Sequence, residues 1–271
     1  MTDERPIGVF DSGVGGLTVL RALRELLPGE STVYLGDTAR VPYGTRSAAT
    51  VEKYALNNAR TLLQQADLKA LVVACNTATA VALPALRAAL RIPVVGVIEP
   101  GARAAMAECR GGTIVVLGTA GTVRSEAYPR ALHALGHKGD VFARACPLLV
   151  PLVEEGWLSG DIPRLVVEEY LRGMPSDTDT VVMGCTHYPL LRPVLRAALP
   201  ERVALVDGAA ATATEVAGLL AERGLARAAP GPLHRLLVTD APEQLARLSR
   251  TFLGVDVPAG DVELVDVLMT A

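Results

Sequence analysis

Short apolar runs rich in β-branched residues alternate with longer segments rich in alanine and leucine along this chain. The apolar runs predict strands at Ile7–Phe10, Thr32–Leu35, Ala70–Ala74, Pro93–Ile98, Thr113–Leu117, Val141–Ala143, Thr180–Met183, Val203–Val206 and Leu236–Val238. Between them, helices are predicted over Leu17–Leu27, Ser47–Ala66, Thr77–Leu90 and Thr122–Leu135. Regular alternation of strands and helices is typical of α/β proteins, in which helices cover both faces of a parallel sheet.

Polar clusters follow these strands, where the ligands of parallel sheets bind. The clusters are Asp11–Gly16, Gly36–Asp37, Pro42–Gly44, Cys75–Thr77, Glu99–Gly101, Gly118–Thr122 and Cys185–Pro189. Because the carboxyl ends of neighbouring parallel strands meet at one edge of a sheet, we expect these clusters to outline a single cleft.

A weak internal repeat indicates that the chain contains two similar units. Ile7–Ser12 resembles Ile114–Thr119, and Val72–Thr77 resembles Val182–His187 at nearly the same offset. The same offset pairs Pro42 with Pro151. The prediction is therefore an α/β protein with two facing, pseudo-symmetric parallel-sheet domains and an active site in the cleft between them. Equivalent residues, Cys75 and Cys185 above all, would lie on opposite walls.

Cys75 and Cys185 each end a predicted strand and precede a polar helix start. A thiol in this position meets the positive end of a helix dipole, which favours the thiolate. Two thiols facing one carbon could invert its configuration, because one removes the α-proton and the other returns a proton to the opposite face. Backbone amides at the helix starts would stabilise the carbanion. For either cysteine alone, burial as a small packing residue is the simpler interpretation.

Several other chemistries fit the spacing poorly. Gly13, Gly15 and Gly16 begin a dinucleotide-binding pattern, but Thr18 stands where its last glycine belongs. The Gly118–Thr122 segment lacks the lysine of a phosphate-binding loop, and no clustered zinc ligands occur. We therefore expect no metal and no cofactor.

Three alternatives remain open at this stage. Cys185 with His187 could act as a nucleophile in acyl transfer. Cys75 and Cys185 could form a reversible disulfide, or the cleft could bind an amino acid without catalysis.

Composition narrows the class of protein. The 271 residues are 50% hydrophobic with a net charge of −3 and only 4% aromatics, so neither a nucleic-acid partner nor a base-stacking surface is expected. The longest uncharged run, residues 70–86, is too short and too polar to cross a bilayer, so no membrane partner is expected. Residues 1–6 lack the order of a secretory signal, which favours a cytoplasmic location with reduced thiols.

The polar motifs, taken together and in order, resemble those of the glutamate racemase family of cofactor-independent amino-acid racemases. The matching segments are Phe10–Val19, Gly36–Gly44, Ala74–Ala80, Gly96–Gly101, Gly118–Ser125 and Met183–Leu191, which span essentially the whole chain. Thr79 and Met183 depart from the family pattern, where serine and leucine are usual.

The resemblance implies interconversion of L- and D-glutamate for peptidoglycan synthesis, with glutamate as the small-molecule partner. Cys75 would serve the D-enantiomer and Cys185 the L-enantiomer. A racemase for aspartate is the close alternative, because one methylene is a small difference in cleft shape. The family also implies two domains, residues 1–98 plus 208–271 and residues 99–207, and it is often homodimeric, although no residue here predicts the interface.

The resemblance further implies the residues of the site. Asp11, Glu154 and His187 would be auxiliary catalytic groups, although the neighbouring Glu155 leaves the register of Glu154 open. Substrate contacts would come from Asp11, Ser12, Pro42, Tyr43, Gly44, Asn76, Thr77, Thr119, Thr122, Thr186 and His187.

Overall fold

The computed structural model describes residues 3–228 and 231–267, which form ten strands and eleven α-helices. The strands are β1 (Ile7–Asp11), β2 (Thr32–Gly36), β3 (Ala70–Val73), β4 (Val94–Gly96), β5 (Thr113–Gly118), β6 (Val141–Ala145), β7 (Thr178–Gly184), β8 (Ala204–Asp207), β9 (His234–Val238) and β10 (Val262–Leu264). The helices are α1 (Leu17–Leu26), α2 (Ala48–Gln65), α3 (Asn76–Ala89), α4 (Ile98–Glu108), α5 (Ala120–Arg124), α6 (Ala127–Ala134), α7 (Leu149–Glu154), α8 (Asp161–Leu171), α9 (Arg192–Ala198), α10 (Gly208–Glu222) and α11 (Pro242–Leu253).

The strands form two sheets in which every pair is parallel. The first sheet has the order β10–β9–β2–β1–β3–β4, and the second has the order β6–β5–β7–β8. The prediction of two parallel-sheet α/β units is confirmed. Strands β9 and β10 return the C-terminal part of the chain to the first sheet. Boundaries near residues 98 and 207 are consistent with this division and stay a prediction.

Local sequence explains how the helices that border the cleft begin. The Cys75 sulfur accepts a hydrogen bond from the Ala78 amide at 3.4 Å and caps α3. Thr119 caps α5 in the same way through the Thr122 amide at 3.2 Å. Side chains that accept from the first free amides of a helix fix its starting residue. The two caps therefore hold Cys75 and Thr119 at the strand ends β3 and β5.

The single helix predicted over Thr122–Leu135 is wrong, because the chain forms α5 and α6 with a break between them. Glu126 adopts a left-handed conformation with φ of 54°. Pro129 explains the interruption: it has no N–H to donate to the carbonyl of Ser125 one turn earlier, and its ring would collide with that carbonyl in a continuous helix.

Apolar side chains pack on both faces of each sheet. Leu35 and Val73 face α2 and α3, whereas Ile7 and Val9 belong to a larger cluster that continues into the second half of the chain. None of the helices in the described parts of the chain is long and apolar enough to cross a membrane. The carboxyl ends of β1 and β3 face those of β5 and β7 across a cleft.

Candidate active site

A cavity of ≈ 420 Å³ lies between the carboxyl ends of the two sheets. It is lined by Ser12, Gly13, Val41, Pro42, Tyr43, Gly44, Thr45, Cys75, Asn76, Thr77, Thr119, Ala120, Pro147, Val150, Pro151, Glu154, Cys185, Thr186 and His187. Two of the residues predicted for the site do not line it: Asp11 and Thr122 lie directly behind the wall and are 1% and 2% exposed. Cys75 and Cys185 border the same space from different sheets.

The Cys75 thiol is buried and lies 3.6 Å from Ser12 Oγ. Burial and the negative charge of Asp11 raise the pKa of Cys75 to about 12, although the Ala78 amide and Ser12 act in the opposite direction. The helix start thus favours the thiolate, as expected, through the Ala78 amide, but desolvation outweighs this effect and the sulfur is held as a thiol. A positive charge near the sulfur is needed to form the thiolate.

Cys185, His187 and Glu154 contact one another in sequence, and Glu154 comes from a different element, α7. Its sulfur lies 3.9 Å from His187 Nδ1, and His187 Nε2 is hydrogen-bonded to Glu154 Oε1 at 2.9 Å. Burial alone would lower the pKa of His187, but the contacts with Cys185 and Glu154 outweigh it and raise the pKa to about 10. An imidazolium beside a sulfur stabilises negative charge on it. Glu155 is exposed, so Glu154 is the acid that reaches the site.

Asp11 supplies a buried carboxylate with a free acceptor. Its Oδ2 accepts a hydrogen bond from the Gly13 amide at 2.9 Å, while Oδ1 has no partner among the residues that the structure describes. Burial raises the pKa of Asp11, against the opposing effects of the His187 charge and of backbone amides. An unpaired buried acceptor beside a cleft is suited to a cationic donor such as an amino group.

Three threonine hydroxyls join the two halves of the cleft. Thr77 Oγ1 lies 2.8 Å from Thr119 Oγ1 and 3.4 Å from Thr122 Oγ1, and the latter two are 3.0 Å apart. Thr77 follows a strand of the first sheet, whereas the other two follow a strand of the second. These hydroxyls can rotate to donate to a carboxylate, so they offer an anion-binding group that spans both sheets.

Glycines allow the two halves to approach this closely. A Cβ at Gly15 would lie 2.3 Å from Thr186 Oγ1 and 2.5 Å from His187 Nδ1. A Cβ at Gly121 would lie 2.9 Å from Thr77 Cγ2 and 3.0 Å from the Gly44 carbonyl oxygen. The glycine-rich segment after β1 thus serves close packing across the cleft, in keeping with the failed dinucleotide spacing.

Tyr43 lines the cavity, but its hydroxyl is hydrogen-bonded to two residues that do not line it. The hydroxyl donates to Asp37 and accepts from Asn58 Nδ2 at 3.0 Å, and burial followed by the Asp37 charge raises its pKa. Asp37 and Asn58 were assigned no role from the sequence. The sequence offered one signal for this pair, the carboxylate of Asp37 directly after a predicted strand. Asn58 offered none, because it lies on α2, far along the chain.

The cavity wall also contains apolar residues that were given no role from the sequence, among them Pro147, Val150 and Pro151. Apolar residues carry no chemical signature, although the repeat had paired Pro151 with Pro42, and both line the cavity. All four cysteines are free. Within residues 3–228 and 231–267, no group of three or more His, Cys, Asp and Glu side chains is arranged to hold a metal ion.

A family model, curated relatives and solved structures all identify the same family. The family described as Asp/Glu/Hydantoin racemase matches residues 7–216. A glutamate racemase from Geobacter metallireducens is 50% identical over 252 residues, which are 92% of this chain and 93% of the relative. The crystal structure of a glutamate racemase isoform from Bacillus anthracis superposes with a TM-score of 0.91 at 41% identity, covering 97% of both chains. That of a Francisella tularensis glutamate racemase in complex with D-glutamate has a TM-score of 0.90 at 36% identity and covers 98% of both chains.

Proposed function

This chain belongs to the Asp/Glu/Hydantoin racemase family, and on that premise we propose that it interconverts L- and D-glutamate by a two-base reaction of Cys75 and Cys185. The observation that carries the proposal is the shared cavity, which both thiols border from opposite sheets. Relatives and solved structures named glutamate racemase, which match almost the full chain, support glutamate as the substrate.

In the direction from D- to L-glutamate, the Cys75 thiolate removes the α-proton and becomes a thiol. The Cys185 thiol then delivers its proton to the opposite face of the carbanion and becomes a thiolate. One C–H bond breaks and another forms, with no net change in electrons, and the reverse direction exchanges the two roles. Each turnover leaves the thiols with exchanged protons, so they must re-equilibrate before the next substrate of the same configuration.

The surroundings of the two sulfurs favour their charged forms by different means. On the Cys75 side, a substrate ammonium drawn to the free oxygen of Asp11 adds positive charge and offsets the desolvation that disfavours the thiolate. On the Cys185 side, the positive charge comes from the imidazolium of His187, which Glu154 holds in place. Hydroxyls and amides that line the cavity would stabilise carboxylate and carbanion charge. The donors are Ser12, Asn76, Thr77, Thr119 and Thr186, with Thr122 behind them and Pro42, Tyr43 and Gly44 forming the wall.

We also propose that the protein supplies D-glutamate to peptidoglycan synthesis in the cytoplasm. Hinges near Glu99 and Asp207, where the two expected domains meet, and a homodimer are further parts of this proposal. Closure of the two halves on the substrate would exclude water and strengthen each electrostatic contact.

The test follows the α-hydrogen in deuterated water, starting separately from each enantiomer and without added cofactor. A two-base reaction places deuterium in the product enantiomer while the remaining substrate stays protonated early in the reaction. Cys75→Ala and Cys185→Ala should each lower racemisation by roughly 10²–10⁴-fold or more, the contribution of a positioned acid or base. Early deuterium in recovered substrate, or substantial racemisation by either variant, would reject the two-thiol reaction.

Aspartate run in parallel tests the substrate assignment. We expect turnover of glutamate to exceed that of aspartate, and the opposite order would move the assignment to the shorter acid. Binding of glutamate with no α-hydrogen exchange would indicate a non-catalytic binding protein instead.

A further inference from the structure

Tyr128 connects the two halves of the molecule next to Cys75. It lies on α6, and its hydroxyl donates a hydrogen bond at 2.8 Å to Oδ1 of Asn76, the first residue of α3. The side chain is 2% exposed. Asn76 follows Cys75 directly and lines the cavity, whereas Tyr128 does not line it. Any effect of the tyrosine on the site therefore passes through the asparagine.

The ring of Tyr128 is seated between two glycines that leave it little room. A Cβ at Gly101 of α4 would lie 3.1 Å from the tyrosine hydroxyl oxygen, and one at Gly184 of β7 would lie 3.1 Å from Cε2. Tyr128 also packs in a buried cluster with Ile98 and Val182. A ring held on several sides fixes the position of its hydroxyl, and a fixed hydroxyl fixes the acceptor that it meets.

This hydrogen bond decides which end of the Asn76 amide group faces the cavity. In the described parts of the chain the Tyr128 hydroxyl has one acceptor, Asn76 Oδ1, so its proton must point there to be satisfied. With Oδ1 turned towards the tyrosine, the amide NH₂, which is a donor only, is the group left for a ligand. No hydrogen bond of that nitrogen occurs within residues 3–228 and 231–267. The reversed amide would present its carbonyl oxygen instead, which repels a carboxylate.

We propose that Tyr128 is a positioning residue that orients the Asn76 amide group so that its NH₂ donates to a carboxylate of the bound amino acid. The inference rests on the proposed function, because it requires a substrate that carries carboxylates. Tyr128, in the second half of the molecule, thereby contributes to substrate binding by Asn76 in the first half. It also gives a reason for the glycine at position 101, where the tyrosine hydroxyl is the nearest atom to an added Cβ.

The first experiment compares Tyr128→Phe with the unmodified protein in steady-state racemisation from both enantiomers. Without the hydroxyl the amide can turn over, so KM should rise about 5- to 20-fold, as for partial loss of one hydrogen bond to a charged group. The kcat values should stay within about twofold, since neither thiol is touched. The equilibrium constant of racemisation is one, so kcat/KM must fall by the same factor in both directions.

Tyr188→Phe is the matched control. Tyr188 is also buried, and its hydroxyl donates to the Cys146 carbonyl oxygen at 2.8 Å. Its loss removes a comparable buried hydrogen bond that does not involve Asn76. We expect a similar change in melting temperature for the two variants, but a raised KM for Tyr128→Phe alone.

Two double variants separate positioning from general damage. In an Asn76→Ala background, Tyr128→Phe should have no further effect on KM, because the group that it orients is gone. Gly101→Ala should raise KM by pressing on the hydroxyl, and this effect should disappear when Tyr128→Phe removes that atom, since the next ring atom lies at an ordinary 3.5 Å. Gly101→Ala keeps the tyrosine, so it tests the inference even if Tyr128→Phe fails to fold.

An unchanged KM in both Tyr128→Phe and Gly101→Ala, or an equal rise caused by Tyr128→Phe with and without Asn76, would overturn the inference while the racemase assignment stands. An unmodified protein that does not racemise glutamate would instead remove the proposed function.

Discussion

Glu154 and His187 share a 2.9 Å hydrogen bond between Oε1 and Nε2, which joins the end of α7 to the loop after β7. A third element holds this pair in place. From α11, which packs with the first sheet, Phe252 meets the His187 ring edge-on with the centroids 5.2 Å apart, and Arg247 donates to the Glu154 carbonyl oxygen at 3.3 Å. The group beside Cys185 is therefore assembled from three parts of the chain.

The carboxylate of Glu154 should contribute, after Cys185, to the raised pKa of His187. Replacing it by Glu154→Gln removes the opposite charge but keeps the size, so the pKa of His187 should fall from about 10 by about one unit or more. Titration of the imidazole resonances by NMR measures this shift. Glu155→Gln is the control, because its exposed side chain is the next one along; a larger shift from that variant would contradict the assignment of Glu154.

The pKa of His187 also predicts how stability depends on pH. The pKa rises from about 6.5 in the unfolded chain to about 10 in the folded protein, so the folded state holds the extra proton. The stabilisation is fully present below the unfolded pKa and is lost as the pH rises through the folded value. Between about pH 6.5 and about pH 10 the free energy of unfolding should fall with a slope of up to about 1.4 kcal/mol per pH unit from this group.

Urea unfolding of the unmodified protein and of His187→Asn across that range checks the sign. The variant should lose this part of the slope, while His133, His137 and His234 remain in both proteins. A slope that is identical in the two proteins would show that His187 does not hold its proton more tightly when folded.

Gly121 should be needed for the approach of the two halves of the cleft. In Gly121→Ala the new methyl group would collide with Thr77 Cγ2 and the Gly44 carbonyl oxygen at 2.9 and 3.0 Å, and the backbone oxygen cannot turn aside as a side chain could. We expect kcat/KM to fall by about tenfold or more, because small misplacements of a catalytic site are costly.

Gly218→Ala is the matched control, since it also lies in a helix but has nothing within 4 Å of the added methyl group. It should keep full activity and gain about 0.5–1 kcal/mol of stability. Equal activity of the two variants would mean that the close approach at Gly121 is not required.

Lys69 should stabilise the first half of the molecule far from the cleft. Its ammonium group is fully buried, lies 2.5 Å from Glu30 Oε2, and donates to the carbonyl oxygens of Asp3 and Leu225 at 2.9 and 2.7 Å. Lys69→Met leaves the buried Glu30 without its counter-charge and should cost about 3–5 kcal/mol in the free energy of unfolding. Lys53→Met, at an exposed position, should change it by less than about 0.5 kcal/mol.

Much of the fold could be predicted because its signals are local. Strand and helix types follow from the spacing of apolar residues, so β1, β3, β5 and β7 were found close to their observed positions. The polar ends of those strands were sufficient to expect one cleft, because parallel strands deliver their carboxyl ends to the same edge. Strand β10 was missed, and the helix over Thr122–Leu135 was drawn unbroken, because a short edge strand and one proline give weak signals.

The residue types of the site, with both cysteines at equivalent strand ends, were readable from the chain alone, since they depend on order and spacing. The electrostatic state of these residues could not be read from the chain alone. It depends on contacts between segments far apart in sequence, which give Cys75 its high pKa, bring Glu154 and not Glu155 to the site, and pair Tyr128 with Asn76. Burial and Coulomb energies depend on everything packed around a group, and that surrounding exists only once the two sheets have come together.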